Sequence, residues 1–480
     1  MKPVQVIVAH NHGGIGFQQT IPWKLQHDMN LFKHLTLYKK NNSSAVIMGR
    51  KTYESMNSEP LCDRLNIVIS TTISIANKNT IVFQSLQHAL DYCETNVFVQ
   101  KIWIIGGSRL YHEAFLHPQT VAIYMTSICS PTFDCDAFIK MPDRKTWSNI
   151  ETTGVYQEKG ILYQFSRWTR GSGFDYSKSL RDIVTNLRHD EYEYLNLLHN
   201  VLETCDLANP RQDRTLVGTY STFGHQCRYN LRKCFPLFTT KRTFWKAIVC
   251  ELLWMISGST DSKVLENQGV TIWKGNGSRE FLDQNGFQDR KVGDLGPIYG
   301  FQWRHSGAKY MSSGDDYDKK GVDQLKRVIE QIKHNPTSRR IVLSAWNVAD
   351  LSSMALPPCH ILCQFYVNVE KKELSCHLYQ RSCDLGLGVP FNVASYSLLT
   401  HMIAHLTGLN VGDFIHSMGD AHIYSNHVDG LREQLKRKVR NGPQLKIVRN
   451  NIGSIDEFRA KDFELVNYRP HPKIVMEMAV

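Results

Sequence analysis

Leu356-Pro357-Pro358-Cys359-His360, then Tyr379-Gln380-Arg381-Ser382-Cys383-Asp384, then Pro390-Phe391-Asn392 is the most informative run of this chain. It gathers a thiol, a guanidinium, a carboxylate and a carboxamide into one short region. A cysteine between a diproline turn and a histidine, with arginines available to favour the thiolate, is what a nucleophilic sulfur requires. The Cys359-His360 pair alone reads more simply as a buried structural cysteine, because free cysteine packs as a small apolar side chain. The full run is much more specific than the pair.

Working outward, 480 residues are more than one ordinary domain, so two folded units are expected, each with its own core. No stretch approaches the roughly 18 uncharged apolar residues of a membrane span. Met1-Lys2-Pro3-Val4-Gln5-Val6-Ile7-Val8-Ala9 has no small-residue cleavage site and reads as a first strand rather than a signal peptide. Twelve cysteines without a secretory signal point to reduced thiols in the cytoplasm. Cys359, Cys363, Cys376 and Cys383 lack paired C-x-x-C spacing, so no metal is expected.

The net charge of +11 is spread over both halves, and its one dense run, Arg432 to Arg440, reads as a solvated helix face. Such a surface attracts anionic small molecules by long-range steering. Aromatics do not interleave with the basic residues as a single-strand binder needs, so RNA binding would be at most a second role.

The chain divides at a polar, glycine-containing stretch, Trp168-Thr169-Arg170-Gly171-Ser172-Gly173-Phe174-Asp175-Tyr176-Ser177. This predicts a domain over 1–168, a linker over 169–189 and a second domain over 190–480. Tyr310 to Lys320 reads as a surface insertion.

In the first domain, Val4–Ala9, Ala45–Met48, Asn66–Ser70, Thr80–Phe83, Lys101–Ile105 and Val121–Ser127 are short β-rich runs separated by helical patterns. This is α/β punctuation, a central mostly parallel sheet flanked by helices. Leu25, Asp28, Phe32 and Leu35 share one helix face, which turns Asp28 inward. An acid in a first turn can simply favour the helix dipole, but a desolvated carboxylate has a raised pKa and can handle protons near neutrality. Gly49-Arg50-Lys51-Thr52 and Ile105-Gly106-Gly107-Ser108-Arg109 each follow a strand and open a helix, as phosphate-holding turns do.

Together with Ile15-Gly16, Ile21-Pro22-Trp23, Arg64 with Asn66, and Tyr124-Met125-Thr126, these runs resemble dihydrofolate reductase over nearly the whole first domain. The resemblance implies that Asp28, assisted by Thr126, anchors the pteridine and helps protonate it. It implies that Trp23 and Phe32 wall the pocket and that Arg64 pairs with the glutamate carboxylate of folate. NADPH would lie against Ala9, Ile15, Gly16, Gly49, Arg50, Lys51, Thr52, Gly106, Gly107, Ser108, Arg109 and Leu110, with Ser70 and Thr71 near its extra phosphate. Leu61-Cys62-Asp63-Arg64 departs from the family's usual Leu-Pro-Gly-Arg, which puts the local turn in doubt.

In the second domain, Phe244 to Met255 is apolar on most of its surface yet contains Glu251. A buried unpaired carboxylate is expensive unless neutral, hydrated or used, the plainer alternative being a hydrogen-bonded buried Glu. Arg214, Arg339-Arg340 ahead of the strand Ile341-Val342-Leu343, and Arg381 would suit a phosphate dianion. Adjacent arginines on a strand would face opposite ways. A carboxamide at Asn392 matches the donor and acceptor pattern of uracil rather than cytosine.

The opening run and these residues resemble thymidylate synthase, an α+β fold whose mixed sheet dimerises. That resemblance implies attack of the Cys359 thiolate on C6 of dUMP, with His360 nearby. Glu251 and Tyr299 would manage the C5 proton. Gln380, Arg381, Ser382, Asp384, Asn392, His422 and Tyr424 would hold the nucleotide, with Arg214 and with Arg339 and Arg340 reaching into a partner subunit's site. Trp273, Asp384, Gly388 and the carboxyl-terminal Val480 would line the side of the co-substrate 5,10-methylenetetrahydrofolate. Asn276 stands where many bacterial synthases have a second tryptophan. Synthesis of dTMP releases dihydrofolate, which a reductase consumes, so fusion would place consecutive steps on one polypeptide. The alternative of a non-catalytic scaffold sits poorly with intact Asp28, Glu251, Cys359 and Asn392.

Overall fold

Strands that read as near-continuous apolar runs are those a sheet buries on both faces. Val4–Asn11 and Ser44–Gly49 are such strands, buried at almost every position. The structure is a computed structural model that describes residues 2–37, 44–73, 80–170 and 179–478. Its chain forms two units, Met1–His189 and Asp190–Val480.

The first unit runs β1 (Val4–Asn11), β2 (Gly14–Gly16), α1 (Gln26–Thr36), β3 (Ser44–Gly49), α2 (Arg50–Ser55), β4 (Leu65–Ile69), β5 (Thr80–Phe83), α3 (Leu86–Thr95), β6 (Lys101–Ile104) and α4 (Ser108–Leu116). It continues with β7 (Thr120–Ser130), β8 (Ala137–Phe138), β9 (Ser148–Thr152), β10 (Tyr156–Glu158), β11 (Ile161–Thr169) and α5 (Leu180–Leu187). The main sheet order is β10-β11-β7-β1-β6-β3-β4-β5. The six strands expected from sequence form its parallel part, β7 to β5, and antiparallel β11 and β10 extend one edge.

The span 169–189 is not a linker throughout. Thr169 ends β11, and α5 packs Leu180, Ile183, Val184 and Leu187 into the core of the first unit. Their i, i+3, i+4, i+7 spacing is an amphipathic helix whose period the charged neighbours Arg181, Asp182 and Arg188 obscure. Glu151 accepts the N–H groups of Leu180 (2.8 Å) and Arg181 (3.0 Å) at its start. His27 Nε2 of α1 donates to Val184 O at 2.7 Å.

The second unit runs α6 (Glu191–Cys205), β12 (Thr219–Asn230), α7 (Trp245–Ile256), α8 (Ser262–Glu266), α9 (Arg279–Gln284), α10 (Tyr299–His305), α11 (Gln324–His334) and β13 (Val342–Ser344). It ends with β14 (His360–Asn368), β15 (Glu373–Asp384), α12 (Gly388–Thr407), β16 (Asn410–Tyr424), α13 (Val428–Lys436), β17 (Gln444–Ile447) and β18 (Phe463–Val466). Its mixed sheet has the order β12-β16-β15-β14-β13, antiparallel except for the β15–β16 pair, which α12 connects. α7 and α12 are buried nearly all round in one large apolar core. The Tyr310 to Lys320 segment is no mere surface insertion: Tyr310 and Tyr317 pack with Phe301, and Tyr310 Oη donates to Asp294 at 2.6 Å.

Glu191 opens this unit. Its carboxylate is buried and accepts from the backbone N–H and hydroxyl of both Thr239 (2.8 and 2.7 Å) and Thr240 (2.8 and 2.6 Å). Four donors converge on one side chain, so removing it strands all of them in the interior. E191A is expected to lower the stability of the second unit by about 3 kcal/mol, and E191Q, which keeps one acceptor oxygen, by less. The urea midpoint of that unit's unfolding transition checks both values.

Candidate active sites

In the first unit the site follows from where the parallel strands end. β3 and β6 are neighbours, and each passes through glycine into a helix, α2 after Gly49 and α4 after Gly107. The two turns meet: Gly49 N donates to Gly106 O at 2.7 Å. Gly106 has a φ of +122°, and a Cβ there would meet the Tyr111 ring at 3.2 Å. A Cβ on Gly107 would come within 3.3 Å of Thr52 Oγ1. Ser108 and exposed Arg109 begin α4, whereas Leu110 points into the core, leaving only its backbone at the turn. Arg50 pairs with Glu54 at 2.6 Å and Lys51 is exposed. Ser70 Oγ accepts the N–H groups of Thr72 and Ile73, both at 3.1 Å, and Thr71 stands exposed in that turn. Ala9 is the one half-buried position of β1, and Ile15 and Gly16 lie in β2.

Asp28 sits on α1 facing β7, where Thr126 Oγ1 donates to Asp28 Oδ1 at 2.6 Å. Burial pushes its pKa up to about 6, a rise opposed by the Thr126 bond and reinforced by Glu158. Glu158 in turn caps α1, accepting from Gln26 N (2.8 Å) and His27 N (3.1 Å). Trp23 is buried against the edge of Phe133, and its Nε1 has no partner among the described residues. Arg64 lies 5.9 Å over the Phe32 ring and donates to Thr36 Oγ1 at 2.9 Å. In the unusual Leu61-Cys62-Asp63-Arg64 turn, Asp63 takes a φ of +60°, a conformation that short polar side chains tolerate.

In the second unit strand register assembles the site. Cys359 directly precedes β14, and Arg381 N donates to Cys359 O at 2.9 Å. The Arg381 guanidinium donates to Pro358 O (3.0 Å) and Pro357 O (2.8 Å), fixing the diproline turn. Across β15 and β16, Ser382 pairs with Asp420 and Asp384 with His422. Tyr299 Oη accepts from Cys359 N at 2.8 Å, and the Tyr299 ring lies 5.9 Å from Trp273 and 5.2 Å from His360. Trp273 Nε1 donates to Glu251 Oε1 at 2.8 Å. One cluster therefore joins Glu251, Trp273, Tyr299, His360 and Cys359.

Its electrostatics are those of desolvation. Burial pushes Glu251 up to about 7, against the Trp273 bond, and brings His360 down to about 4, so its ring is neutral at neutral pH. Tyr299 is raised well above the phenol range by burial and the nearby thiol. Cys359 also stands above its ordinary value: burial outweighs Arg381, Tyr299, Arg214 and Ser382, all of which favour the thiolate. The arginines thus limit the cost of the thiolate without making it the resting form.

Gln380 Nε2 donates to Asn392 Oδ1 (3.0 Å) and Ser382 O (2.9 Å), while its Oε1 meets His416 Nε2 at 2.9 Å. His416, brought down to about 3 by burial, is neutral and orients the amides; the sequence carried no local sign of it. His422 is buried with Nδ1 3.1 Å from Asp420 Oδ1, and its ring meets Tyr424 edge-on at 5.2 Å. Arg214 is exposed after Asp213, which caps the turn through Thr215 and Gly218. Asp384 Oδ1 accepts from Gly386 N (2.7 Å) and its Oδ2 from Leu387 N (3.1 Å) and Gly388 N (3.2 Å). Burial works against that carboxylate, but His427 and these donors hold it below the usual range.

Arg339 and Arg340 are exposed and lie in a turn, the strand beginning only at Val342. The strand alternation expected to turn them apart therefore does not apply. Arg381 and Arg214 are among the groups that favour the Cys359 thiolate. Val480 lies outside the described residues.

Comparison with known proteins covers both units. A dihydrofolate reductase family model matches residues 3–170 and a thymidylate synthase model residues 192–480. The chain is 46% identical to bifunctional dihydrofolate reductase-thymidylate synthase 2 of Arabidopsis thaliana, over 99% of this chain and 88% of that protein. It is 45% identical to the bifunctional enzyme of Paramecium tetraurelia, over 99% of this chain and 98% of that one. With the Leishmania major enzyme the identity is 40%, covering 100% of this chain and 96% of that protein. With both family models matched in order on one polypeptide, and relatives of the same arrangement matched end to end, the chain belongs to the bifunctional dihydrofolate reductase-thymidylate synthase family.

Proposed function

We propose that this methyltransferase and oxidoreductase carries out its two reactions at the Cys359 and Asp28 clusters. The second unit converts dUMP to dTMP, releasing dihydrofolate, and the first reduces dihydrofolate to tetrahydrofolate. The observation that carries this reading is the trio of Cys359, Glu251 and Asp28. It pairs a thiol beside two arginines with two carboxyls that desolvation raises towards neutrality, that of Glu251 buried and that of Asp28 half-buried.

Cys359 Sγ adds to C6 of the uracil, and Arg381 and Arg214 stabilise the thiolate that does so. Asn392, its oxygen held by Gln380, reads the uracil edge through its amide. Glu251, with Tyr299, exchanges the proton at C5, for which a carboxyl near pKa 7 is well matched. His422 and Tyr424 hold the sugar, and Arg214, Arg381 and Ser382 bind the phosphate. 5,10-Methylenetetrahydrofolate, when bound against Trp273, Asp384 and Gly388, supplies the one-carbon unit and the reducing hydride.

In the first unit, Asp28 holds the pterin and delivers a proton to it. Trp23 and Phe32 enclose the ring, and Arg64 receives the glutamate carboxylate. NADPH, when bound, supplies the hydride. The site fits it: the touching turns at Gly49 and Gly106-Gly107 offer backbone without side chains at two helix starts, which Arg50, Lys51 and Thr52 and Ser108 and Arg109 open, and Ser70 and Thr71 follow the neighbouring strand β4.

A homodimer completes the second site. What supports it is the exposure of Val342, Tyr366 and Tyr379 on β13 to β15, with Arg339 and Arg340 exposed in the turn that precedes β13. Among the described residues, no helix is long and apolar enough to cross a membrane.

Two experiments test these assignments. C359S is expected to abolish dTMP formation and covalent trapping of 5-fluoro-dUMP while leaving NADPH-dependent reduction intact. D28N is expected to lower reduction at pH 7 by about 100-fold or more, with activity recovering as pH falls and dTMP synthesis unchanged. Loss of both activities from either change in a folded protein would refute the two-site assignment. Separately, R340A and C359A chains, each inactive in dTMP synthesis, should recover activity when unfolded and refolded together; no recovery would exclude arginine sharing between subunits.

A further inference from the structure

The basic run Arg432 to Arg440 does something other than solvate a helix. The segment after β18 returns along α13, and the run holds its backbone. Arg440 Nη1 donates to Arg469 O (3.1 Å) and Pro470 O (3.2 Å), and Arg437 Nη1 to Pro472 O at 2.7 Å. His471 N donates to Thr239 O at 2.7 Å, and His471 Nε2 meets Lys438 O at 2.9 Å. Further on the segment is extended and alternates, with Ile474 and Met476 turned inward and Val475 exposed. It crosses α13 at Gly430, where a Cβ would meet Ile474 Cγ2 at 3.0 Å.

His427, completely buried at the start of α13, makes the last of these attachments, with Nε2 2.6 Å from Glu477 O. A carbonyl only accepts, so Nε2 carries a proton. The other ring nitrogen, Nδ1, lies 3.8 Å from Asp384 Oδ1, beyond hydrogen-bond range but close enough for attraction to a charged ring. Space for the ring exists because residue 386 is glycine: a Cβ there would stand 2.5 Å from His427 Nδ1. Asp384 in turn accepts the N–H groups that precede and begin α12, the helix carrying Asn392.

We infer that His427 is a positioning residue that couples the docked carboxyl-terminal segment to the Asp384 turn, with Arg437 clamping the same segment upstream. The inference rests on the reading of Cys359 and Asp384 as the synthase site. In that reading Asp384 and Gly388 line the folate side, and the ring transmits the seating of the segment there.

Two replacements separate the ends of the ring. H427Q keeps a donor at the position of Nε2, whereas H427N keeps a polar group only near Nδ1. In the full-length enzyme, H427N should raise the KM for methylenetetrahydrofolate about tenfold or more. The KM for dUMP should stay within about twofold and dihydrofolate reduction should be unchanged. Amide hydrogen exchange in the peptide spanning His471 to Met478 should accelerate in H427N, and H427Q should restore both quantities to within about threefold of wild type. An H427N enzyme with unchanged folate KM, or with unchanged exchange, overturns the coupling, as does an H427Q no better than H427N. If H427N does not fold, R437M, which leaves the ring in place, must show the same folate-selective shift and faster exchange, and its failure to do so also overturns it. Exchange measured without substrates keeps the outcomes distinct. Absence of dTMP synthesis in the wild type would sink the site assignment, while the exchange difference would still decide the tether.

Discussion

A carboxyl group removed from water must either collect enough donors to keep its charge or give the charge up, and both units are organised around that choice. Glu191 receives four hydrogen bonds and Asp384 three backbone N–H groups with a histidine beside them. Asp28 and Glu251 are each given one neutral side-chain donor, Thr126 and Trp273, and burial then moves both towards neutrality. Donor supply thus sorts carboxyls that hold the chain together from those able to exchange a proton. The same desolvation acts on Cys359, where the nearby guanidiniums offset part of it.

Legibility in the sequence followed the range of the interaction. Asp28 and Glu251 were visible because a carboxylate at an inward position of an apolar helix period is a local contradiction. The six parallel strands were visible because two-sided burial writes itself as near-continuous apolar runs. Glu158, which caps the helix bearing Asp28 from more than 100 residues away, left no local mark, and neither did the pairing of His416 with Gln380. Short edge strands such as Tyr156–Glu158 are too brief for a period to emerge. Arg339-Arg340 stands ahead of its strand as expected, but pairing begins only at Val342, so the alternation of strand faces does not extend to the two arginines. The arginines near Cys359 were legible, whereas their balance against burial depends on packing that residue types alone do not state.

The mixed sheet explains why the second site comes from distant stretches. A parallel β15–β16 pair needs a crossover, and α12 supplies it through the core, bringing Asn392 past the strand ends where Cys359, Arg381, Asp384 and His422 lie in register. Asn392 is then held by Gln380 from the neighbouring strand, so its amide and the Cys359 thiol are set by the same ladder.

Helix α5 has a consequence for how this chain is made. It lies beyond the glycine-containing stretch yet supplies Leu180 and Val184 to the first core and the carbonyl that receives His27. A reductase half severed at Arg170 would lose that cover and leave a buried imidazole N–H without its acceptor; the natural cut falls after His189. On the ribosome, therefore, the first unit cannot close its core until the residues just before Asp190 have emerged. By then the next codons already specify Glu191, the residue around which the second unit gathers Thr239 and Thr240.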